Sequence, residues 1–403
     1  MGVNKKYKGY KSFQYLVPDV NYKTFKMPKA IEWVEPYVLP VSLEEEERVQ
    51  KLADEIIAIS LHDHPMLIPE DVMGQIFDYN REGRIITPYD ALSKSCWDAI
   101  FDNLLDGTAR IVSKTGWKWE DIICDLGMKL CDIAHQDFVI VAKTVDDITN
   151  AHDEGKIAFI PTLEAATPIE NEVDRIDILF GLGIRMMGVT YSESNCLGSG
   201  LSEDRDGGLT TFGREVIERY NKIGMAIDVS HSGDQTARDV IEASTKPVFI
   251  THVGAKTLWN TKRLKPDEVL QACAKKGGVI GIEAAPHTTI TKNHPLHDIE
   301  SYMEHFEYIV KLVGIGHVAF GPDTMYGDHV ALHHAFSKAL SIKRAFAVDT
   351  EEVPYVKGLE NPTEASWNIV RWLVKHGYSD EEIKKVMGEN IIGVLREVWP
   401  IPQ

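Results

Sequence analysis

The 403-residue sequence has only five cysteines, Cys96, Cys124, Cys131, Cys196 and Cys273, and no two of them form a Cys-x-x-Cys pair. That argues against a cysteine zinc site, and an odd number spread this widely argues against a disulfide framework. Long apolar runs are missing as well; none approaches the eighteen or so residues needed to cross a bilayer. The polar start, Met1-Gly2-Val3-Asn4-Lys5-Lys6, leads into no apolar segment of the kind a secretory signal needs, so a reducing cytoplasm is the expected compartment. Positive charge is in short supply: 43 Lys plus Arg stand against 61 Asp plus Glu, a formal net charge of −18. This is the wrong sign for gripping nucleic acid or an anionic membrane, which leaves a small molecule or another protein as partner. There is no G-x-G-x-x-G after an apolar run, no Walker loop and no G-x-S-x-G elbow, so the dinucleotide, P-loop and serine-hydrolase readings lack their motifs.

What is present is a long chain with 44% hydrophobic residues, enough to bury a large core. Residues 1–50 are rich in Lys, Tyr and Pro and read as an N-terminal extension packed on the main domain. A helix start is expected at Ser42-Leu43-Glu44-Glu45, where a serine precedes a glutamate run. From residue 51 to 403 no linker, low-complexity block or solenoid repeat interrupts the chain, which predicts one domain. Short apolar runs at 56–59, 157–160, 184–189, 225–229, 248–250, 278–282 and 317–320 alternate with stretches of helical period at 210–223, 232–243, 266–275 and 297–312. Strands alternating with helices imply a parallel sheet, and the α/β fold expected is a (β/α)8 TIM-type barrel, with an open doubly wound sheet as the alternative. The eighth strand is expected between 110 and 145, with Phe138-Val139-Ile140-Val141 as its candidate.

The chemistry stands at the ends of these runs. His62-Asp63-His64 follows the first, Glu164 the second, His231 the run at 225–229, His252 the run at 248–250, and Asp323 the run at 317–320. In a barrel all strand ends open on one face, so five such runs would deliver metal-binding or ionisable groups to one place. His62 and His64, two residues apart in an extended chain, point to the same side. Each piece alone has an ordinary reading: a surface His-Asp-His turn, a rim carboxylate in water, a hydrogen-bonded core histidine, or a helix cap at Asp323. The shared placement favours a metal centre. His287, His294, His297, His329, His333 and His334 lie in polar sequence and read as mostly solvated, with His287 the exception to watch because it follows the run at 278–282.

Several segments resemble the membrane (renal) dipeptidase family of zinc peptidases: G-L-T-T-F-G-R-E-V-I at 208–217, G-M-A-I-D-V-S-H at 224–231, K-P-V-F-I-T-H at 246–252, R-L-K-P-D-E-V-L at 263–270, D-D-I-T-N-A-H-D-E-G-K-I-A-F-I at 146–160 and G-Y-S-D-E-E-I-K-K-V-M-G-E-N at 377–390. The likeness runs over roughly residues 51–400. It implies an amidohydrolase-like barrel with two divalent ions, zinc by expectation: His62 on the first, Glu164 bridging, His231 and His252 on the second. Asp323 would be the acid/base and Arg263 the holder of the substrate's free carboxylate; a homodimer is implied too. Four positions depart from the family pattern. His64 stands where His-x-Asp has its aspartate, and Ala165-Ala166 replaces Gly-Gly after Glu164. Tyr191 replaces a substrate-binding histidine, and Glu283-Ala284-Ala285 replaces Asn-Phe-Tyr.

The resemblance thus implies a metallohydrolase that cleaves the amide bond of a dipeptide, or a similar small carboxylate-bearing substrate, with a hydroxide bridging the metals. The site residues expected are His62, His64, Glu164, His231 and His252 for metal, Asp323 and Glu164 for catalysis, and Arg263, Tyr191 and Glu283 for substrate. The altered Tyr191 and Glu283 keep open a non-peptide substrate such as a lactam, a lactone or the amide of a specialised metabolite. A non-catalytic binding or scaffold barrel is a third reading.

Overall fold

Ten buried runs of a computed structural model, which describes residues 5–103, 118–339 and 351–400, pair in one sheet. They are β1 (Ile59–Leu67), β2 (Ala99–Asn103), β3 (Val139–Val141), β4 (Ile157–Leu163), β5 (Met186–Gly188), β6 (Ala226–Asp228), β7 (Phe249–Val253), β8 (Val279–Ile282), β9 (Val318–Phe320) and β10 (Met325–Tyr326). Every pairing is parallel, and the order is β10-β1-β2-β4-β5-β6-β7-β8-β9, with β3 paired to the start of β4. The order climbs without the reversal that defines a doubly wound sheet. The residues between β9 and β10 bond to β1, through Asp323 N to His62 O and His64 N to Thr324 O, both 2.9 Å. The last strand of this curled sheet therefore lies beside its first, as in a TIM-type barrel.

The strands are buried on both faces because helices cover the outside, which is why they read as apolar runs without alternation. Thr211–Ile223, Asp234–Ala243, Asp267–Lys275 and Ile299–Val313 are helices close to the expected spans. Leu43–Glu55 begins as expected at Ser42, whose hydroxyl accepts from Glu45 N while Glu45 reaches back to Ser42 N. The starts of the strands, including Ile59, Ala158, Met186 and Phe249, pack with Ile391, Leu395 and Trp399 at the chain's last described helix, Asn390–Val398. That plug closes the end of the sheet opposite the strand ends. Among the described residues no helix is long and apolar enough to cross a membrane.

Two expectations need correction. The strand beside β1 is β2, not a strand between 110 and 145; Val139–Val141 is extended but pairs only with β4, and residues 110–117 lie outside the described ones. Ala99–Asn103 was hidden because only three apolar residues precede Asp102 and Asn103, both of which are buried against polar partners: Lys129 Nζ lies 3.2 Å from Asp102, and Asn103 meets His62. The second correction is to β1, which runs through His62, Asp63 and His64 to Leu67 instead of stopping before them.

Two glycines let the strand ends crowd together. A Cβ on Gly188 would stand 1.7 Å from Glu164 O, and one on Gly321 2.1 Å from Thr251 O. Any side chain at either would push a candidate ligand's backbone or its neighbour aside.

Residues 5–41 contain no helix or strand and lie across the rest of the chain. Tyr10 Oη and Ser12 Oγ donate to the buried carboxylate of Asp132 at 2.8 and 2.7 Å, as do Phe13 N at 2.7 Å and Tyr89 Oη at 2.9 Å. Trp33 Nε1 donates to Glu360 O and Leu39 N to Asn368 Oδ1. Asp132→Ala strips one acceptor from four donors and leaves the buried Phe13 N–H and Tyr89 hydroxyl unsatisfied. A loss of about 3 kcal/mol of stability is expected, to be read as a lower melting temperature with early proteolysis inside residues 5–41.

Candidate metal centre

In β1, His62 and His64 share a face while Asp63, between them, points the other way. There Asp63 accepts from Thr324 N and Oγ1, both at 2.7 Å, and from Ser60 Oγ at 2.5 Å. Asp63 thereby anchors the segment that carries Asp323, whose backbone sits at φ +56, a region few non-glycine residues occupy and one that is frequent at functional sites. Glu164 directly follows β4, His231 follows β6, and His252 lies within β7.

All six side chains meet. Glu164 Oε1 is 3.2 Å from His62 Nε2 and 3.7 Å from both His231 Nε2 and His252 Nε2. Asp323 Oδ1 is 3.1 Å from His64 Nε2 and 3.4 Å from His62 Nε2. The His62 and His252 rings stack at 3.5 Å. Three sets have ligand atoms mutually within 4.8 Å: His62 with His64 and Asp323, His62 with Glu164 and His252, and His252 with Glu283 and Asp323.

This donor set fits a cation. Thr251 Oγ1 spends its proton on Asp228 Oδ2 at 2.8 Å, so at 2.7 Å from His252 it accepts Nδ1–H and leaves Nε2 a lone pair. That lone pair faces His231 Nε2 at 2.9 Å, beside two carboxylates and out of water. So many Lewis bases in a dry space are unfavourable without a positive charge among them. Nitrogen and oxygen donors of this kind suit a divalent transition metal.

The electrostatics agree. Burial works against a charged His62, but Asp323 and Glu164 together push its pKa up to about 10. Burial likewise opposes ionisation of Asp323, yet His62 and His64 hold it well below the usual carboxylate range. His231 and His252 are pushed well below the ordinary imidazole value, by burial first and then by Arg263 and His62 respectively. They are neutral and ready to ligate. Burial, then Glu164 and Asp323, raises the Tyr191 phenol well above its ordinary value, so it keeps its proton. Its ring lies 4.2 Å from that of His231.

Arg263 and Glu283 reach the same wall, and they reach each other: both are buried and their charged groups form an ion pair, while Arg263 Nη2 also donates to His252 O at 3.0 Å. Burial raises Glu283 to about 8, against the pull of Arg263. The histidines expected in solvent are a correction. His297 is 1% exposed and bonds to Thr289 Oγ1 at 2.8 Å and to His287 N at 3.0 Å. His287, His294, His329 and His333 are half-buried, and His334 alone of the set is exposed. The loop after β8 and the helix His329–Ala339 fold over the strand ends, which the polar neighbours of these histidines concealed.

One residue was missed outright. Asn103, at the end of β2, accepts His64 Nδ1–H on its backbone oxygen at 2.8 Å, and its side-chain amide lies 2.5 Å from His62 Nδ1. As placed, the amide nitrogen faces the ring; half a turn brings the oxygen there, and His62 then carries its proton on Nδ1 and offers Nε2. Asn103 thus sets the tautomer of both histidines. Asn103→Ala is expected to weaken metal binding about 10- to 100-fold, measured by competition with a chromogenic chelator, with the fold retained by circular dichroism. No signal in the sequence pointed to Asn103, since its role depends on a strand pairing.

The family model described as Membrane dipeptidase (Peptidase family M19) matches residues 47–339. A relative from Claviceps purpurea (strain 20.1), Dipeptidase tcpJ, is 26% identical over 276 residues. The match takes in 68% of this chain and 58% of that protein, so it spans less than two thirds of its relative. Among solved structures, an amidohydrolase from Pseudomonas aeruginosa superposes with a TM-score of 0.71 at 25% identity, over 87% of this chain and 99% of its own. A metallo peptidase from Rhodobacter sphaeroides, liganded with a phosphinate mimic of the dipeptide L-Ala-D-Ala, gives 0.65 at 18% over 85% and 99%, a likeness of fold.

Proposed function

The chain belongs to the membrane dipeptidase family, peptidase family M19, and from that premise we propose that it is a metallohydrolase cleaving the amide bond of a dipeptide or a similarly small amide. The observation that carries this reading is the convergence of His62, His64, Glu164, His231, His252 and Asp323 on one buried point.

The residues divide into two overlapping sets. His62 and His64 would hold one divalent ion, His231 and His252 a second, and the Glu164 carboxylate, within reach of both, would bridge them. Zinc is the metal this donor set suits best. Divalent ions held there would supply Lewis acidity, polarising an amide carbonyl and lowering the pKa of bound water to about 7.

The chain's own groups do the rest. Asp323, ionised and beside His62 and His64, accepts the proton of the attacking water and returns it to the departing nitrogen, without which an amine is a poor leaving group. Tyr191 keeps its proton and donates a hydrogen bond to the carbonyl oxygen as negative charge gathers there. Ala165 and Ala166, which directly follow Glu164, are both buried. Loading the protein with zinc or manganese, counting metal per chain by mass spectrometry and assaying L,L and L,D dipeptides and their amides tests the reading. Two ions per chain with turnover are expected; no bound metal, or metal without hydrolysis of any of them, would sink it.

A further inference from the structure

Arg263 lies against the centre, its Nη2 donating to the backbone oxygen of His252 at 3.0 Å. A free guanidinium beside an amide-cleaving site would select a substrate with an anionic end, because it holds a carboxylate by two parallel hydrogen bonds. Here that place is taken. Glu283, directly after β8, pairs with Arg263 inside the protein. The neighbouring cations are engaged elsewhere. Lys256 Nζ is 3.0 Å from Asp234, Lys262 Nζ is 3.1 and 3.0 Å from the backbone oxygens of Ser202 and Glu203, and Lys265 Nζ bonds to Ser232 O.

We propose that Glu283 occupies the position at Arg263 that a substrate carboxylate would need, so that the site takes a substrate whose end at this wall is uncharged: a carboxamide, an ester, or the carbonyl of a lactam or lactone. This rests on the amide-hydrolase reading above and narrows its substrate class. A substrate carboxylate would have to displace the Glu283 carboxyl from this guanidinium in a space with little water, because both would need the same donors. Arg263 Nη1 is buried and has no hydrogen-bond partner among the described residues. A neutral carbonyl oxygen would satisfy that N–H without adding charge.

The test is a matched pair of probes, Ala-Ala and its amide Ala-Ala-NH2, on the metal-loaded enzyme, read both as turnover and as binding by calorimetry. Wild type is expected to favour the amide by about tenfold or more. Glu283→Gln frees the guanidinium and should shift the binding ratio about tenfold toward Ala-Ala. Because Glu283→Gln leaves a lone buried charge, the double variant E283Q/R263Q, which removes both charges, serves as the second: it should lose the discrimination without gaining affinity for Ala-Ala. A wild-type preference for Ala-Ala, or an unchanged ratio in Glu283→Gln, overturns the proposal. The binding ratio decides it even where neither probe is hydrolysed, an outcome that would count against the hydrolase reading alone.

Discussion

Replacing Glu164 by Gln is expected to take the metal content from two ions per chain to one or none and to lower kcat/KM by more than about 100-fold. The carboxylate lies 3.2 Å from one imidazole nitrogen and 3.7 Å from two others, on His231 after β6 and on His252 in β7, so it is the group shared between the two halves of the site. Glutamine fills the same volume, but it offers one neutral oxygen and turns an N–H2 donor toward nitrogens that must present lone pairs to a cation. Loss of a directly ligating charge should exceed the 10- to 100-fold or so typical of residues that only orient ligands. Metal analysis after equilibrium dialysis, with kcat/KM on the best amide substrate, checks both halves. An unchanged stoichiometry would remove Glu164 from its bridging role.

Asp323→Asn is expected to keep the metals and lose the chemistry, with kcat down about 10²- to 10⁴-fold and KM little altered. Asparagine accepts the left-handed backbone at φ +56 almost as readily as aspartate, and the amide N–H that bonds to His62 O is untouched, so the fold should survive. What disappears is a group able to take and return a proton. The same variant has a signature in the metal-free protein. His62 stands at about 10 because Asp323 and Glu164 outweigh its burial, so it is protonated at neutral pH and a metal ion must displace that proton. Fewer protons compete as the pH rises toward 10, so metal affinity should climb over that range, and each loading should release protons to a weakly buffered indicator dye. Without the Asp323 charge His62 holds its proton less tightly, and the pH dependence of metal binding should flatten. A full-strength pH dependence in Asp323→Asn would remove Asp323 as the main source of the His62 shift.

Much of the centre was legible because its side chains interrupt apolar runs. Glu164 directly follows an otherwise apolar strand, and His231 and His252 come after β-branched runs that could hardly be surface. The spacing of His62 and His64 places two imidazoles on one face wherever the chain is extended. Asp323 follows a Gly-Pro pair that closes a strand. Residues whose work is done through a partner left no such mark. Asn103 ends a strand too short and too polar to be recognised, and the link from Asp228 through Thr251 to His252 joins hydroxyl and carboxylate groups that look unremarkable one at a time. The half-buried histidines at 287, 329 and 333 sit in polar neighbourhoods that resemble solvent-facing sequence until the helix His329–Ala339 and the loop after β8 cover the strand ends.

Read alone, the sequence determined the alternation of strands and helices, the family, and the kind of atom that stands at each strand end, because those are local properties of residue type and spacing. The tertiary structure decided which of those atoms meet. Only the curling of the sheet brings His62 against Glu164, some hundred residues away, and only it seats Glu283 on Arg263 so that an expected anchor for a carboxylate is already engaged. The reason is that charge, hydrogen bonding and acidity depend on distance and burial, and the fold sets both.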